Sequence, residues 1–158
     1  MFFKQMKLQG LNPEFLLMDK YFSQIMVSQR IWPNTKIQLC RWHIKQSVEA
    51  RLASNKLSQR NTYVSLTAHH KFSFIKNTFV PPSPILKGTI FCPKELRKEI
   101  WKMMDKHLHL HLLILTNNQS LSSSEIWELA VNEIYMYCEQ HSLPFLWTYM
   151  WKEWYCSE

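Results

Sequence analysis

The sequence predicts an α/β fold that is mainly helical. A short apolar run, Phe15–Met18, and an alternating polar–apolar segment, Lys36–Cys40, are bounded by turn signals and separated by a helical pattern. Only two glycines, Gly10 and Gly88, occur in 158 residues, and Leu, Lys, Gln and Glu are abundant. That composition favours helix over an all-β fold. Apolar residues make up 46%, enough for one domain or a piece of a larger one.

Residues 1–9 read as the end of a helix with Phe2, Phe3 and Met6 on one side. Gly10 fits a left-handed C-cap, and Asn12-Pro13 prevents continuation. Phe15–Met18 follows as a buried strand, and Asp19 stands at its carboxyl end. A helix is predicted from about residue 20 to Ile31, with Phe22, Ile25 and Met26 sharing an apolar face. Trp32-Pro33-Asn34 ends it. Lys36–Cys40 alternates polar and apolar residues and reads as a second strand. A helix from Arg41 to about Ala53 carries the stripe Ile44, Val48 and Leu52. Helix, strand, helix, strand, helix over residues 1–53 is a βαβ-type pattern, with the two strands parallel. Two strands alone do not make a stable sheet.

Residues 54–92 form an irregular connector. Pro81-Pro82-Ser83-Pro84 interrupts regular structure, while Phe72, Phe74, Ile75, Phe79 and Val80 supply either one or two short strands or a loop packed on a core. Residues 93–158 are helical. Pro93 suits a first helical position, and Leu96, Ile100, Met103, Met104 and His107 recur at helical spacing. Thr116–Ser120 reads as a loop. Ser122 and Glu125 make a capping box for a helix containing Ile126, Leu129, Ala130, Glu133, Ile134 and Tyr137. Ser142-Leu143-Pro144 opens a last helix carrying Trp147, Trp151, Trp154 and Tyr155. These aromatics offer stacking platforms for bases, but their helical spacing favours packing.

The scarcity of glycine excludes glycine-rich phosphate loops and dinucleotide fingerprints. A formal charge of +7 suits a polyanionic partner, nucleic acid first, although no dense basic block occurs. Cysteines 40, 92, 138 and 156 are too irregularly spaced for a secreted disulfide framework and read as reduced thiols. No apolar run is long enough for a membrane span, and the first residues do not read as a signal peptide.

Three constellations could carry chemistry. Asp19 lies where α/β sheets collect their chemistry, as a metal ligand or general base, or as the cap of the next helix. Cys40-Arg41-Trp42-His43 is a Cys-x2-His unit at a strand-to-helix turn. Cys40 and His43 suit zinc, though a structural site normally takes four ligands. The alternative is a buried Cys beside a satisfied His. His107, His109 and His111 read either as a metal tract or as histidines at the negative end of a helix dipole. No nucleophilic triad is supported.

The stretch Phe15-Leu16-Leu17-Met18-Asp19-Lys20, the short helix ending in Trp32-Pro33, and Lys36-Ile37-Gln38-Leu39-Cys40-Arg41-Trp42-His43 together resemble the Mutator-like (MULE) transposases. The match covers about residues 14–53; the remainder is more loosely similar to the helical region that interrupts those catalytic domains. The resemblance implies a partial RNase H-like core in residues 1–53, then a helical insertion region, and a DDE site in which three carboxylates hold two Mg²⁺ ions. Asp19 matches the second carboxylate. Cys40 and His43 match the family's Cys-x2-His, whose role is structural. It also implies DNA as partner, a nuclear location and no small-molecule substrate; a missing sheet half would leave Phe15–Met18 poorly covered, which favours self-association.

Departures accompany the likeness. Nothing acidic precedes Glu14, none of the ten Glu stands out as the third carboxylate, and Tyr21 occupies a place where relatives often carry an acid. The expectation is a catalytically incomplete transposase fragment. The alternative is a non-catalytic, transposon-derived DNA-binding or interaction module.

Overall fold

The computed structural model describes residues 2–19, 21–57, 63–109 and 122–156. The chain divides into two compact units, residues 1–50 and 51–158. Helices dominate, and the only sheet among the described residues has two strands. No described helix is long and apolar enough to cross a membrane.

The first unit opens with α1 (Phe2–Leu8). Gly10 terminates it at φ +91°, a left-handed conformation that a side chain resists. Its N–H donates to the Lys7 carbonyl, and the Leu11 N–H reaches back to Met6, each at 3.0 Å. This pair of bonds is a Schellman motif, as Gly10 predicts. The chain then enters β1 (Phe15–Met18), α2 (Phe22–Ile31) and β2 (Lys36–Leu39), and α3 (Arg41–Ala53) comes next.

β1 and β2 pair in parallel, Phe15 opposite Lys36 and Met18 opposite Leu39. The ladder extends one bond at each end, from Lys36 N–H to the Glu14 carbonyl (2.9 Å) and from Cys40 N–H to the Met18 carbonyl (2.8 Å). Alternation sends Leu16, Met18, Ile37 and Leu39 to the covered face and Phe15, Leu17, Lys36 and Gln38 to solvent. Phe15 and Leu17 are therefore exposed, and only Met18 of β1 is buried.

The turn between α2 and β2 is sewn to the segment before β1. The Trp32 indole donates to the Leu11 carbonyl at 2.9 Å, and the Thr35 hydroxyl donates to the Pro13 carbonyl at 2.5 Å. Lys7 donates from Nζ to the Ile31 carbonyl, and the Phe3 ring meets Trp32 edge-on at 5.9 Å.

α2 begins two residues later than the pattern suggests and buries a different face. Phe22 and Met26 are exposed, while Ser28 and Ile31 are buried and Ile25 is half-buried. Spacing of 25, 28 and 31 is also helical. The approach of α1 and Trp32 decides which stripe is covered, and periodicity does not reveal that. In α3, Ile44, Val48 and Leu52 are all buried, as their spacing predicts.

The second unit contains α4 (Ser65–Lys71), a 3-10 turn (Lys94–Leu96), α5 (Arg97–His109), α6 (Ser123–Gln140) and α7 (Pro144–Met150). A five-residue π-helical turn, Trp151–Tyr155, continues α7. The sequence pattern does not predict α4. The aromatic stretch after it forms no strand among the described residues; it packs as a loop, with Phe72 and Ile75 buried. Pro93 sits one residue ahead of the 3-10 turn, and Pro144 opens α7.

Ile100, Met103 and Met104 of α5 are buried with Ala130, Val131, Ile134, Tyr135 and Cys138 of α6. Trp147 stands among aromatic neighbours, its ring 5.0 Å from Tyr135, 5.6 Å from Trp151 and 6.4 Å from Tyr63. The Tyr135 hydroxyl accepts the Lys76 amide at 2.9 Å and donates to Glu139 at 3.2 Å. Arg51 lays its guanidinium over Phe91, 3.7 Å from the ring centre, a cation–π contact. The Ser122–Glu125 capping box forms: the Ser122 hydroxyl accepts the Glu125 amide, and the Glu125 carboxylate accepts the Ser122 amide at 2.7 Å.

Candidate metal centre

Asp19 and Cys40 are the residues just beyond the last pair of the parallel ladder, Met18 and Leu39. The strands thus deliver a carboxylate and a thiol side by side at their carboxyl ends, where open α/β sheets place ligands. Cys40 is also the residue before α3, and the Ile44 amide donates to its carbonyl at 3.0 Å. It therefore occupies the N-cap, and His43 lies three positions on, in the first turn. That geometry turns the His43 ring back toward the strand ends.

Asp19, Cys40 and His43 consequently converge: one ligand atom from each lies within 4.8 Å of the other two. This is the one such grouping of three among the described residues. His43 Nδ1 is 2.5 Å from Asp19 Oδ1. Nδ1 is shielded from solvent and makes no hydrogen bond of standard geometry. The Trp42 ring stands edge-on to His43 at 4.7 Å and is exposed. Hydrogen bonding from the His43 main-chain amide, and next from its side chain, draws the Cys40 thiol below its ordinary pKa. A thiol at a helix N-terminus is expected to shift that way.

The sequence separates Asp19, as a magnesium ligand, from Cys40 and His43, as a zinc pair. The structure brings all three together. The signal for this lies in the strand register, because both strand ends must be aligned before the residues beyond them are seen as neighbours. A carboxylate, a thiol and an imidazole are an acceptable partial set for zinc. They do not fit Mg²⁺, which takes oxygen ligands in near-octahedral geometry, and only one of the three donors is oxygen.

The histidine tract divides. His107 Nδ1 is 2.7 Å from the Tyr155 hydroxyl, and its Nε2 is 3.0 Å from Glu133, which Lys106 also grips at 2.7 Å. The His107 side chain is 7% exposed, and burial, partly opposed by Glu133, lowers its pKa. Burial alone would raise Glu133, but hydrogen bonds from Lys106 and His107 outweigh it and hold the carboxyl below its ordinary value. His109 is exposed, with Nδ1 2.6 Å from the Asp105 carbonyl in its own helix. His111 and Thr116–Ser120 lie outside the described residues, as does Lys20. A cavity of about 250 Å³ beside His107 is walled by Met104, Ile126, Trp127, Trp154 and Tyr155.

Trp147, Trp151 and Tyr155 are buried and Trp154 is half-buried, so the aromatic series is packing. Cys92 and Cys138 are buried free thiols of the second unit. Burial pushes Cys92 up to about 11 and raises Cys138 further. The chain matches no known protein family, no curated protein and no solved structure.

Proposed function

We propose that this chain derives from the catalytic core of a Mutator-like transposase, that it is catalytically incomplete, and that DNA is its partner. One observation carries the reading. Two adjacent parallel strands, joined through α2, are followed directly by Asp19 and Cys40, with His43 in the first turn of α3. An acid at a strand terminus beside a Cys-x2-His at the next is the arrangement expected of a piece of such an RNase H-like core. In this reading Asp19 occupies the place of a catalytic carboxylate and has no second carboxylate beside it in the grouping. A two-metal mechanism needs several oxygen ligands at one spot, so the chain alone does not cleave DNA.

A retained DNA-binding role is favoured by a second feature. Lys94, Lys98, Lys102 and Lys106 recur every four residues along the 3-10 turn and α5, and all are exposed. Lys102 and Lys106 already pair with Glu99 and Glu133 at 3.0 and 2.7 Å, which leaves Lys94 and Lys98 as the members of the row best placed for a phosphate backbone. The nucleus is the corresponding location, and the exposed Phe15 and Leu17 on the open sheet face favour self-association.

The ancestry is tested by the coding sequence on both sides of this reading frame. An upstream strand ending in Asp and a downstream helical Glu are expected, and their absence overturns it. The DNA partner is tested by fluorescence anisotropy with a labelled duplex across a salt series. Affinity should fall steeply with salt; no binding at low salt removes DNA from the account.

A further inference from the structure

The ligand atoms at the strand ends speak for an ion other than the magnesium of DDE chemistry. Three side chains arrive there from three different places: Asp19 from the end of β1, Cys40 from the end of β2, and His43 from the first turn of α3. Each offers a different donor, one oxygen, one sulfur and one nitrogen. Sulfur and imidazole nitrogen select zinc and related ions over Mg²⁺. Tetrahedral zinc, with bonds of about 2.0–2.3 Å, holds its ligand atoms roughly 3.3–3.7 Å apart. The present separations, from 2.5 Å between His43 and Asp19 up to a limit of 4.8 Å, bracket that spacing. Side-chain rotations of about an ångström therefore suffice.

A plain ion pair accounts for only part of the arrangement. His43 and Asp19 are 42% and 55% exposed, and an exposed pair contributes little to stability. The pair does not involve the thiol, which the His43 main-chain amide holds at the same point as part of the helix cap. We infer that Asp19, Cys40 and His43 form a three-ligand site for a borderline-soft divalent cation, zinc foremost, with the fourth tetrahedral position open to water or an external ligand.

Such a site has a structural use. The first unit has about 50 residues and buries few large side chains: Met18, Ile31, Trp32, Ile44 and Val48. Small units with thin cores usually need a metal, a disulfide or a partner. An ion at this position would tie both strand termini to α3. Zinc binding of this kind holds whether or not the chain descends from a transposase.

The test uses the full chain stripped of metal and titrated with Co²⁺ as a spectroscopic stand-in for zinc. One equivalent should produce visible ligand-field bands and a near-ultraviolet thiolate-to-cobalt band. Zn²⁺ should abolish both, and a large excess of Mg²⁺ should leave them unchanged. Cys40→Ser should lose the thiolate band, and His43→Ala should weaken cobalt binding by roughly tenfold or more. Zinc should also raise the thermal midpoint of the wild-type chain. Absence of the thiolate band in folded wild-type protein overturns the site. So does a band that survives Cys40→Ser, or one that Mg²⁺ displaces. DNA affinity is read on the same samples. A chain that binds DNA without the band loses the zinc site alone, and a chain with the band but no DNA affinity loses the DNA partner alone.

Discussion

The Trp147 indole donates to the Tyr63 hydroxyl at 2.7 Å across 84 residues of sequence, and both groups are buried. The bond ties the segment before α4 to α7. Tyr63→Phe removes the acceptor and leaves a buried N–H without a partner, at a cost of about 1–3 kcal/mol. Urea denaturation of the two proteins measures it. An unchanged midpoint would mean that the indole finds another acceptor.

A buried histidine makes the second unit sensitive to acid. His107 faces Glu133, Lys106 and Tyr155, and burial depresses its folded pKa. As pH falls below about 6.5, the unfolded chain takes up the proton first, so the unfolded state binds more protons and stability declines. Above that value the contribution is fully present. Wild type should therefore lose more stability between pH 7.5 and pH 5 than His107→Asn does. Parallel pH profiles for the two proteins would contradict this.

On α6, neighbouring apolar positions should behave oppositely. Ile134 is fully buried and Leu129 is 52% exposed. Ile134→Ala should cost about 2–5 kcal/mol. Leu129→Ala should stay within roughly 0.5 kcal/mol. Chemical denaturation of both variants checks the contrast.

The lysines of the 3-10 turn and the start of α5 are tested through salt dependence. Each phosphate contact contributes about 0.9 to the slope of log affinity against log salt. Replacing both Lys94 and Lys98 by Ala should lower that slope by about 2 and weaken binding to any duplex sequence alike. A slope equal to wild type would place the DNA-contacting surface elsewhere.

Local chemistry makes much of this fold legible. Gly10, the Ser122–Glu125 pair and Pro144 mark helix boundaries through backbone geometry, and they act where expected. β1 is short and wholly apolar, and it is readable for that reason. The features that escape a sequence reading depend on distant partners. Phe22 and Met26 have the right spacing for a core stripe, but the side of α2 that is covered is set by α1 and Trp32. α6 buries Val131, Tyr135 and Cys138 as well as Ala130 and Ile134, because it packs against both α5 and α7. α4 is short and polar, with no side-chain cap to announce it. At the candidate site each ligand is visible singly. Their union requires the register of β1 on β2, which no single segment encodes. The bonds from His107 to Glu133 and Tyr155 span 26 and 48 residues and leave no local trace.

The wide turn at Trp151–Tyr155 sets the phase of the chain's last described residues. Its closing bond runs from the Cys156 amide to the Trp151 carbonyl, one residue farther than an α-helical bond would. That extra residue aims the Tyr155 hydroxyl at His107 and presents the Tyr155 carbonyl to the Trp127 indole at 3.2 Å. Each residue of an α-helix advances the side chain by about 100°. Deleting one residue between 151 and 155 would swing Tyr155 off both partners at once, so this stretch should tolerate exchanges of side chain far better than any change in its length.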